Sequence, residues 1–477
     1  VASVAPAPDR TAAETRAASR LRVGVFIAGE PSAFIRAALA RAGLAGLGSD
    51  PGFLRGGTPL DVAFVAGDVD EKSLEGVARY GTLRYGFGED FAGDEREAGT
   101  REVLEGTPVT PSGIRVHRGG GEPDRLAYRS WSRTLPFSIA RNRENVFAKA
   151  VDFLARALRD LEQGGAEWLE SIPVAPVVQA RAQSNLPGRL RLAGRIARRA
   201  LQKATCVDQW TLAFRFGDTE RWSGSLDGFV RLEPPKDRFW ADPFPIQRGG
   251  RSYIFFEELP FASGKGHISV IEVDRAGNAS SPVKVLDRDY HLSYPFLIEE
   301  GGALYMIPET GANRTVELYR CIDFPYQWQR ERVLLDGLFA VDATLHRGAN
   351  RWWMFANVAN PGAEVHDELF LFGADSLTGE WKPHPRNPVK SDARGARPAG
   401  KLYVQDGKLY RPAQICAPLY GSGIAINQVT RLDAKGFEET EERHIVPVAG
   451  SGVLGLHTLN RAGDLCVTDA FVRRSRI

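Results

Sequence analysis

Three acidic residues, Asp242, Glu309 and Asp342, offer the most legible chemistry in this sequence, because each stands at one end of a short apolar strand within a hairpin. The stretches read ADPFPIQRGGRSYIFFEE from Ala241, SYPFLIEEGGALYMIPET from Ser293 and VDATLHRGANRWWMFAN from Val341. In an antiparallel hairpin the start of the first strand and the end of the second lie together, away from the turn. That rule groups Asp242 with Glu257 and Glu258, Tyr294 with Glu309, and Asp342 with Asn357. Neighbouring acids drive one pKa upward, so such a cluster can hold a protonated acid beside an ionised base. Amides, guanidinia and aromatic faces nearby suit a polyhydroxylated ligand, and Trp240, Glu258, Tyr294, Arg314, Asn357, Arg411 and Gln414 are the candidate contacts.

Hairpins must repeat to bring these ends together. Two more copies follow, RPAGKLYVQDGKLYRPAQ from Arg397 and SGVLGLHTLNRAGDLCVTDA from Ser451, so the five copies start 52, 48, 56 and 54 residues apart. By the same rule they bring Arg397 with Gln414, and Asp469, to the same end. Their turns carry Gly249–Gly250, Gly301–Gly302, Gly348, Asp406–Gly407 and Ala462–Gly463, residues that suit tight reversal. A hairpin repeated at about fifty residues predicts a five-bladed β-propeller over 209–477. The apolar strand QWTLAFRFG, Gln209–Gly217, is expected to complete the fifth blade beside LCVTDAFVRR, since an unpaired edge is a liability.

Upstream, 21–165 reads as an α/β domain. LRVGVFIAG is a buried strand, Pro31–Leu47 an amphipathic helix, DVAFVAGDV a second strand and EKSLEGVARYG a short helix, an alternation that argues for a parallel sheet. Residues 1–20 lack an apolar core of signal-peptide type and are expected to be a disordered tail. Residues 166–208 form a linker that ends in NLPGRLRLAGRIARRALQKAT, a basic amphipathic helix. Over 186–204 it could touch an anionic membrane peripherally. Its shortness and its lack of Trp or Phe favour a connector whose apolar stripe packs on a domain while its arginines face water.

Composition narrows the function classes. A hydrophobic fraction of 43%, a charged fraction of 25% and a net charge of +2 over 477 residues give no argument for a nucleic-acid partner. Four dispersed cysteines lack metal-ligand spacing and suit reduced thiols, which points to a cytoplasmic location. The first strand ends in GVFIAGEPSAF without a GxGxxG, and no P-loop, GxSxG or HExxH stands in the chain, so neither a cofactor nor a metal is expected.

Several stretches resemble known families. RYGFGEDF, EVLEGTPVTPSGIRVHRGG and RNRENVFAKAVDFLARALRDL, within 60–165, resemble the second half of the formyltransferase domain of methionyl-tRNA and sugar formyltransferases. That family's His and Asn have no counterpart here: the first His is His117 and the first Asn is Asn142, both beyond the expected loop. A formyltransferase-like fold without its chemistry is therefore expected. RFWADPF, VDATLHRGANRWWMF and ELFLFGADSLTGEWKPHPRNPV resemble the five-bladed furanosidase-type glycoside hydrolases. FWADPF, SYPFL and MIPET resemble more closely the propeller domain of plant glucosamine inositolphosphorylceramide transferases. The hydrolase resemblance implies Asp242 as base or nucleophile and Asp342 as the residue that tunes the acid. It would place the acid itself near Glu364 or Glu368, whereas the strand argument selects Glu309. A carbohydrate or glycolipid ligand follows, with action on a glycosidic bond as the expected function, sugar binding beside a glycosyltransferase as the alternative, and a sugar N-formyltransferase as the last alternative.

Overall fold

The computed structural model describes residues 21–45, 60–176, 185–217 and 222–476, so the expected tail lies outside the described residues. The chain forms two compact units, whose boundary falls between Ala197 and Arg198. The pentapeptide Asn360–Glu364 groups with the N-terminal unit.

The N-terminal unit contains a five-stranded sheet in sequential order: β1 (Val23–Ile27), β2 (Val62–Ala66), β3 (Thr82–Phe87), β4 (Val109–His117) and β5 (Arg125–Arg133). The first three strands are parallel, as the alternation predicts, but β3, β4 and β5 pair antiparallel, so the sheet is mixed. Helices α1 (Ala33–Arg41), α2 (Thr100–Glu105), α3 (Ile139–Ala150) and α4 (Phe153–Ser171) accompany it. Ser32 caps α1 by accepting from the Ile35 amide, and the helix stops short of the expected Leu47 because Gly43 turns out with φ +71°. Phe34, Phe64, Tyr85, Ile114, Val146 and Phe153 form the apolar core. The EKSLEGVARYG stretch supplies only a 3-10 turn, Glu71–Leu74.

The propeller has five sheets, one per blade. Blade one comprises β8 (Arg238–Arg248), β9 (Arg251–Pro260), β10 (His267–Val273) and β11 (Val283–Leu286). Blade two comprises β12 (Ser293–Glu300), β13 (Ala303–Thr310), β14 (Thr315–Asp323) and β15 (Gln327–Asp336). Blade three contains β16 (Ala340–Arg347), β17 (Trp352–Val358), β18 (Glu368–Ala374) and the short β19 (Lys382–Pro383) and β20 (Lys390–Ser391). Blade four contains β21 (Tyr403–Gln405), β22 (Lys408–Ile415), β23 (Gly423–Leu432) and β24 (Phe437–Ile445). In blade five, β25 (Val453–Gly455) and β26 (Leu459–Ala462) pair with β27 (Leu465–Ser475). That strand pairs in turn with β6 (Cys206–Phe216), which carries β7 (Val230–Leu232) on its far side. The ring is thus closed by strands from opposite ends of the propeller sequence. Hairpin turns are tight where sequence allows it, with φ of +60° and +77° at Gly249 and Gly250 and +58° and +77° at Gly301 and Gly302. Phe244, Phe255, Leu297, Met306, Leu318 and Met354 are buried between the first three blades.

Helix α5 (Asn185–Thr205) precedes β6. Its apolar stripe does not pack on a domain: Leu186, Leu190 and Leu201 are 66%, 66% and 64% exposed. The helix instead presents Gly188, which is buried and whose missing side chain leaves room for Leu104, and Arg195, which donates to the Val103 carbonyl. This corrects the expectation of a stripe buried against protein. Gly188 and Arg195 offer a close backbone approach and a hydrogen bond, and the leucines are left outside.

Candidate active site

One backbone device recurs in the first three blades. Asp242, Tyr294 and Asp342 adopt left-handed φ of +52°, +43° and +53°, and each sits in a register shift where the first strand of its blade meets the second. A bulge at this position adds a residue and re-aims its side chain. Opposite them stand residues near the ends of the second strands. Ala241 pairs with Glu257, Ser293 with Glu309 and Val341 with Asn357. In blade four Gln414 donates its amide to the Arg397 carbonyl at 2.7 Å. In blade five Asp469 accepts from the His457 and Thr458 amides.

The side chains from these positions meet in two linked clusters. In the first, His457 lies between two carboxylates, with Nε2 3.1 Å from Asp242 and Nδ1 2.8 Å from Asp469. The Thr458 hydroxyl donates to the same Asp242 oxygen at 2.7 Å, and the Asp242 amide donates to Asp469 at 3.0 Å. Both side-chain contacts of Asp242 use Oδ1, which leaves Oδ2 uncommitted among the described residues. Trp210 covers the imidazole, with centroids 4.0 Å apart. In the second cluster, Arg397 donates to Asp342 through Nε at 2.6 Å and Nη2 at 3.3 Å, and stands 3.8 Å from Glu309. Gln414 donates to Asp342 at 2.9 Å. The Tyr420 ring lies 4.9 Å from the Arg397 guanidinium and 5.2 Å from His457, bridging the clusters.

The electrostatics separate these acids. Burial alone would raise Asp242, but the His457 cation and the Thr458 hydroxyl outweigh it and hold the carboxyl below its usual range. Burial would likewise lower His457, and Asp469 and Asp242 reverse that, lifting it to about 10. Glu309 is pushed up to about 8, first by burial and then by the Asp342 charge, with which it shares a hydrogen bond. Burial raises Asp342 too, against the opposing pull of Arg397. The bidentate guanidinium favours the anion on Asp342, so the proton of the pair resides on Glu309. Glu257 is also driven well up, by burial and by Asp242 and Glu309. The Gly266 amide donates to His291 Nδ1, so that ring carries its proton on Nε2, which faces Glu257 at 3.3 Å. One mouth therefore holds an ionised acid, Asp242, beside two protonated ones, Glu309 and Glu257.

Asp242, Glu309, Asp342 and Gln414 are thus brought together, but several of the other expected contacts are not. Glu258 points to the opposite face of β9, where Arg238 at 2.8 Å, Ser269 at 2.7 Å and His267 at 3.3 Å hold it. Trp240, its cross-strand partner, is buried between blades beside Phe256. Arg411 is wholly buried and forks onto Glu439 at 2.7 Å, inside blade four. Arg314 is exposed and donates to the Gly337 carbonyl at 2.7 Å, within blade two rather than at the acids.

Tyr294 is fully buried: its hydroxyl meets Thr344 at 2.8 Å and accepts from the Gly400 amide at 2.8 Å, so it braces the blades rather than offering a face to a sugar. Asn357 is buried as well and donates to the Val365 carbonyl at 3.0 Å. Of the alternative acids, Glu368 accepts from Ser391 within blade three, and Glu364 groups with the N-terminal unit. Sequence reasoning places Arg397 at this end without giving it a role, and it does not select His457, Thr458 or Tyr420. His457 was legible in principle, because LHTL in the fifth copy occupies the place of ADPF in the first.

Residues 233–451 match the family model described as glucosamine inositolphosphorylceramide transferase 1, N-terminal. Glucosamine inositolphosphorylceramide transferase 1 of Oryza sativa subsp. japonica is 34% identical over 205 residues, which cover 42% of this chain and 27% of the relative. The protein of the same name from Arabidopsis thaliana is 32% identical over 206 residues, covering 43% and 27%. The chain thus spans about a quarter of the length of these relatives. Among solved structures, Zg3597, a family 117 glycoside hydrolase of Zobellia galactanivorans, aligns at 12% identity and a TM-score of 0.36 over 55% of this chain and 90% of that one. CoXyl43, a xylosidase/arabinofuranosidase from a compost metagenome, aligns at 12% and 0.36 over 50% and 90%. Both likenesses are too weak to bear on what this chain does. The propeller resembles the N-terminal domain of the glucosamine inositolphosphorylceramide transferases across residues 233–451.

Proposed function

We propose that the propeller mouth acts on a glycosidic bond. Glu309, protonated at neutral pH, gives its proton to the leaving oxygen, while Asp242 acts through its uncommitted Oδ2 as base toward water or as nucleophile. Asp342 keeps the proton on Glu309. The observation that carries this reading is the placing of two buried acids at one mouth in opposite surroundings, Asp242 against His457 and Thr458 and Glu309 beside the Asp342 carboxylate, which drives their pKa values apart. The relatives are named for glucosamine and inositolphosphorylceramide, which supports a carbohydrate or glycolipid as the ligand class.

The test is a panel of glycosides and glycolipids, scored separately for binding by calorimetry and for released sugar. Asp242→Asn and Glu309→Gln should each lower turnover by about 10²–10⁴-fold with binding retained. Turnover unchanged in Asp242→Asn would refute the assignment.

A second reading, a sugar-binding module that supports a glycosyltransferase, is favoured by one observation. Arg397, His457 and Thr458 are buried among the acids and engage Asp242 and Asp342 directly. Ligands that bind the wild type without turnover would support it. The N-terminal unit we read as formyltransferase-like but without that chemistry. His117 is tied to Asp124 at 2.8 Å, and Asn142 is spent on the Leu135 amide and the Gly99 carbonyl. Tight binding of a folate cofactor would overturn this.

A further inference from the structure

Helix α5 combines features that no part of the propeller reading uses. Leu186, Leu190, Ala193, Ala197, Leu201 and Ala204 fall at intervals of three and four residues and so line one face. The three leucines are about two-thirds exposed, and Ile196 at the edge of the stripe is 45% exposed. The 21 residues of α5 contain five arginines and one lysine and no acidic residue. Arg195 is committed to the Val103 carbonyl and Arg199 to Asp208 at 3.0 Å. Arg189, Arg191, Arg198 and Lys203 are exposed and have no ion-pair partner among the described residues. By helical geometry these four flank the leucine face on both sides.

We propose that α5 docks the protein on an anionic lipid surface. The leucine face enters the boundary between headgroups and acyl chains, and the flanking cations reach lipid phosphates. Both halves of the argument are needed. An exposed leucine stripe alone would suit a protein partner, and a cationic helix alone would suit nucleic acid. A stripe bordered on both sides by unpaired cations, without one acid, matches an interface that is apolar below and anionic above. The polar side of α5 is the one engaged with protein, through Gly188 and Arg195, so docking requires no rearrangement of those contacts. The proposal is independent of any activity at the propeller.

The test is co-sedimentation of the full chain with phosphatidylcholine vesicles, with and without about one-third phosphatidylglycerol, at low and high salt. Binding is expected only to the anionic vesicles and should weaken with salt. Leu190→Glu with Leu201→Glu, both at exposed positions, should lower partitioning at least about tenfold while circular dichroism stays unchanged. Arg191→Glu with Arg198→Glu should do the same. Failure of the wild type to bind anionic vesicles would overturn the proposal, as would binding indifferent to the leucine substitutions. Self-association abolished by Leu190→Glu, without vesicle binding, would assign the stripe to a second copy of the chain. Binding to duplex DNA at the same salt, with the same affinity in the leucine variant, would assign the helix to nucleic acid.

Discussion

Replacing His457 with Gln tests the electrostatic frame of the mouth. His457 is 2% exposed and stands between Asp242 and Asp469, which lift it from 6.5 to about 10. That interval corresponds to about 5 kcal/mol at about 1.4 kcal/mol per pH unit, and removing one member of a buried ion pair costs about 3–5 kcal/mol. A loss of about 3–5 kcal/mol in the propeller transition is the expected result. The sign follows from the raised value. The stabilisation is fully present below the unfolded-state value near 6.5 and is lost as pH rises through about 10. Guanidinium unfolding of the wild type and His457→Gln from pH 6 to 10 reads this as a difference curve, in which tyrosine and lysine titrations common to both proteins cancel. The gap should be widest at pH 6 and close progressively toward alkaline pH. A cost below about 1 kcal/mol, or a gap independent of pH, would refute a buried imidazolium. Asp469 keeps three backbone donors in the variant, so loss of charge rather than loss of the strand connection is what the experiment measures.

Glu309 has a raised value as well, so its protonated form is lost as pH rises through about 8, and any turnover should fall there. A pH–rate profile flat across that region would exclude Glu309 as the acid. Tyr294→Phe removes the acceptor for the buried Gly400 amide and the bond to Thr344, and should cost about 1–3 kcal/mol in thermal unfolding without altering sugar affinity. Arg411→Leu leaves Glu439 with Lys390 alone and should cost about 3–5 kcal/mol with ligand binding intact; an affinity loss at unchanged stability would return Arg411 to the site.

The blades were legible because a hairpin repeat constrains both strand length and turn chemistry, and the mouth was legible because strand direction places Asp242, Glu309 and Asp342 without further information. Strand parity explains the misplaced contacts. Arg411 and Gln414 lie three residues apart on β22, so they face opposite sides, and only Gln414 reaches Asp342. Glu257 and Glu258 pose the same choice, and two adjacent acids give no apolar marker to say which turns inward. His457 escaped because the fifth copy, begun at Ser451, is offset by five residues from the position equivalent to Ala241, which is Leu456. The α5 stripe was misjudged for a different reason. Amphipathic spacing shows that a helix has an apolar face, but not whether protein covers it.

The closure of blade five has a consequence for synthesis of the chain. Strand β6 pairs with β27 from Cys206↔Ser475 to Phe216↔Leu465, so its main partner is made some 250 residues after it. At ribosomal rates of about 5–20 residues per second, that delay is on the order of 10–50 s. Throughout it, the β6 edge carries Leu212 and Phe214 with no β27 to pair with, an invitation to mispairing with any nascent strand nearby. The last strand thus acts as a latch whose arrival times the maturation of the ring, and a chain stalled before Leu465 would present an open edge to the cell's chaperones.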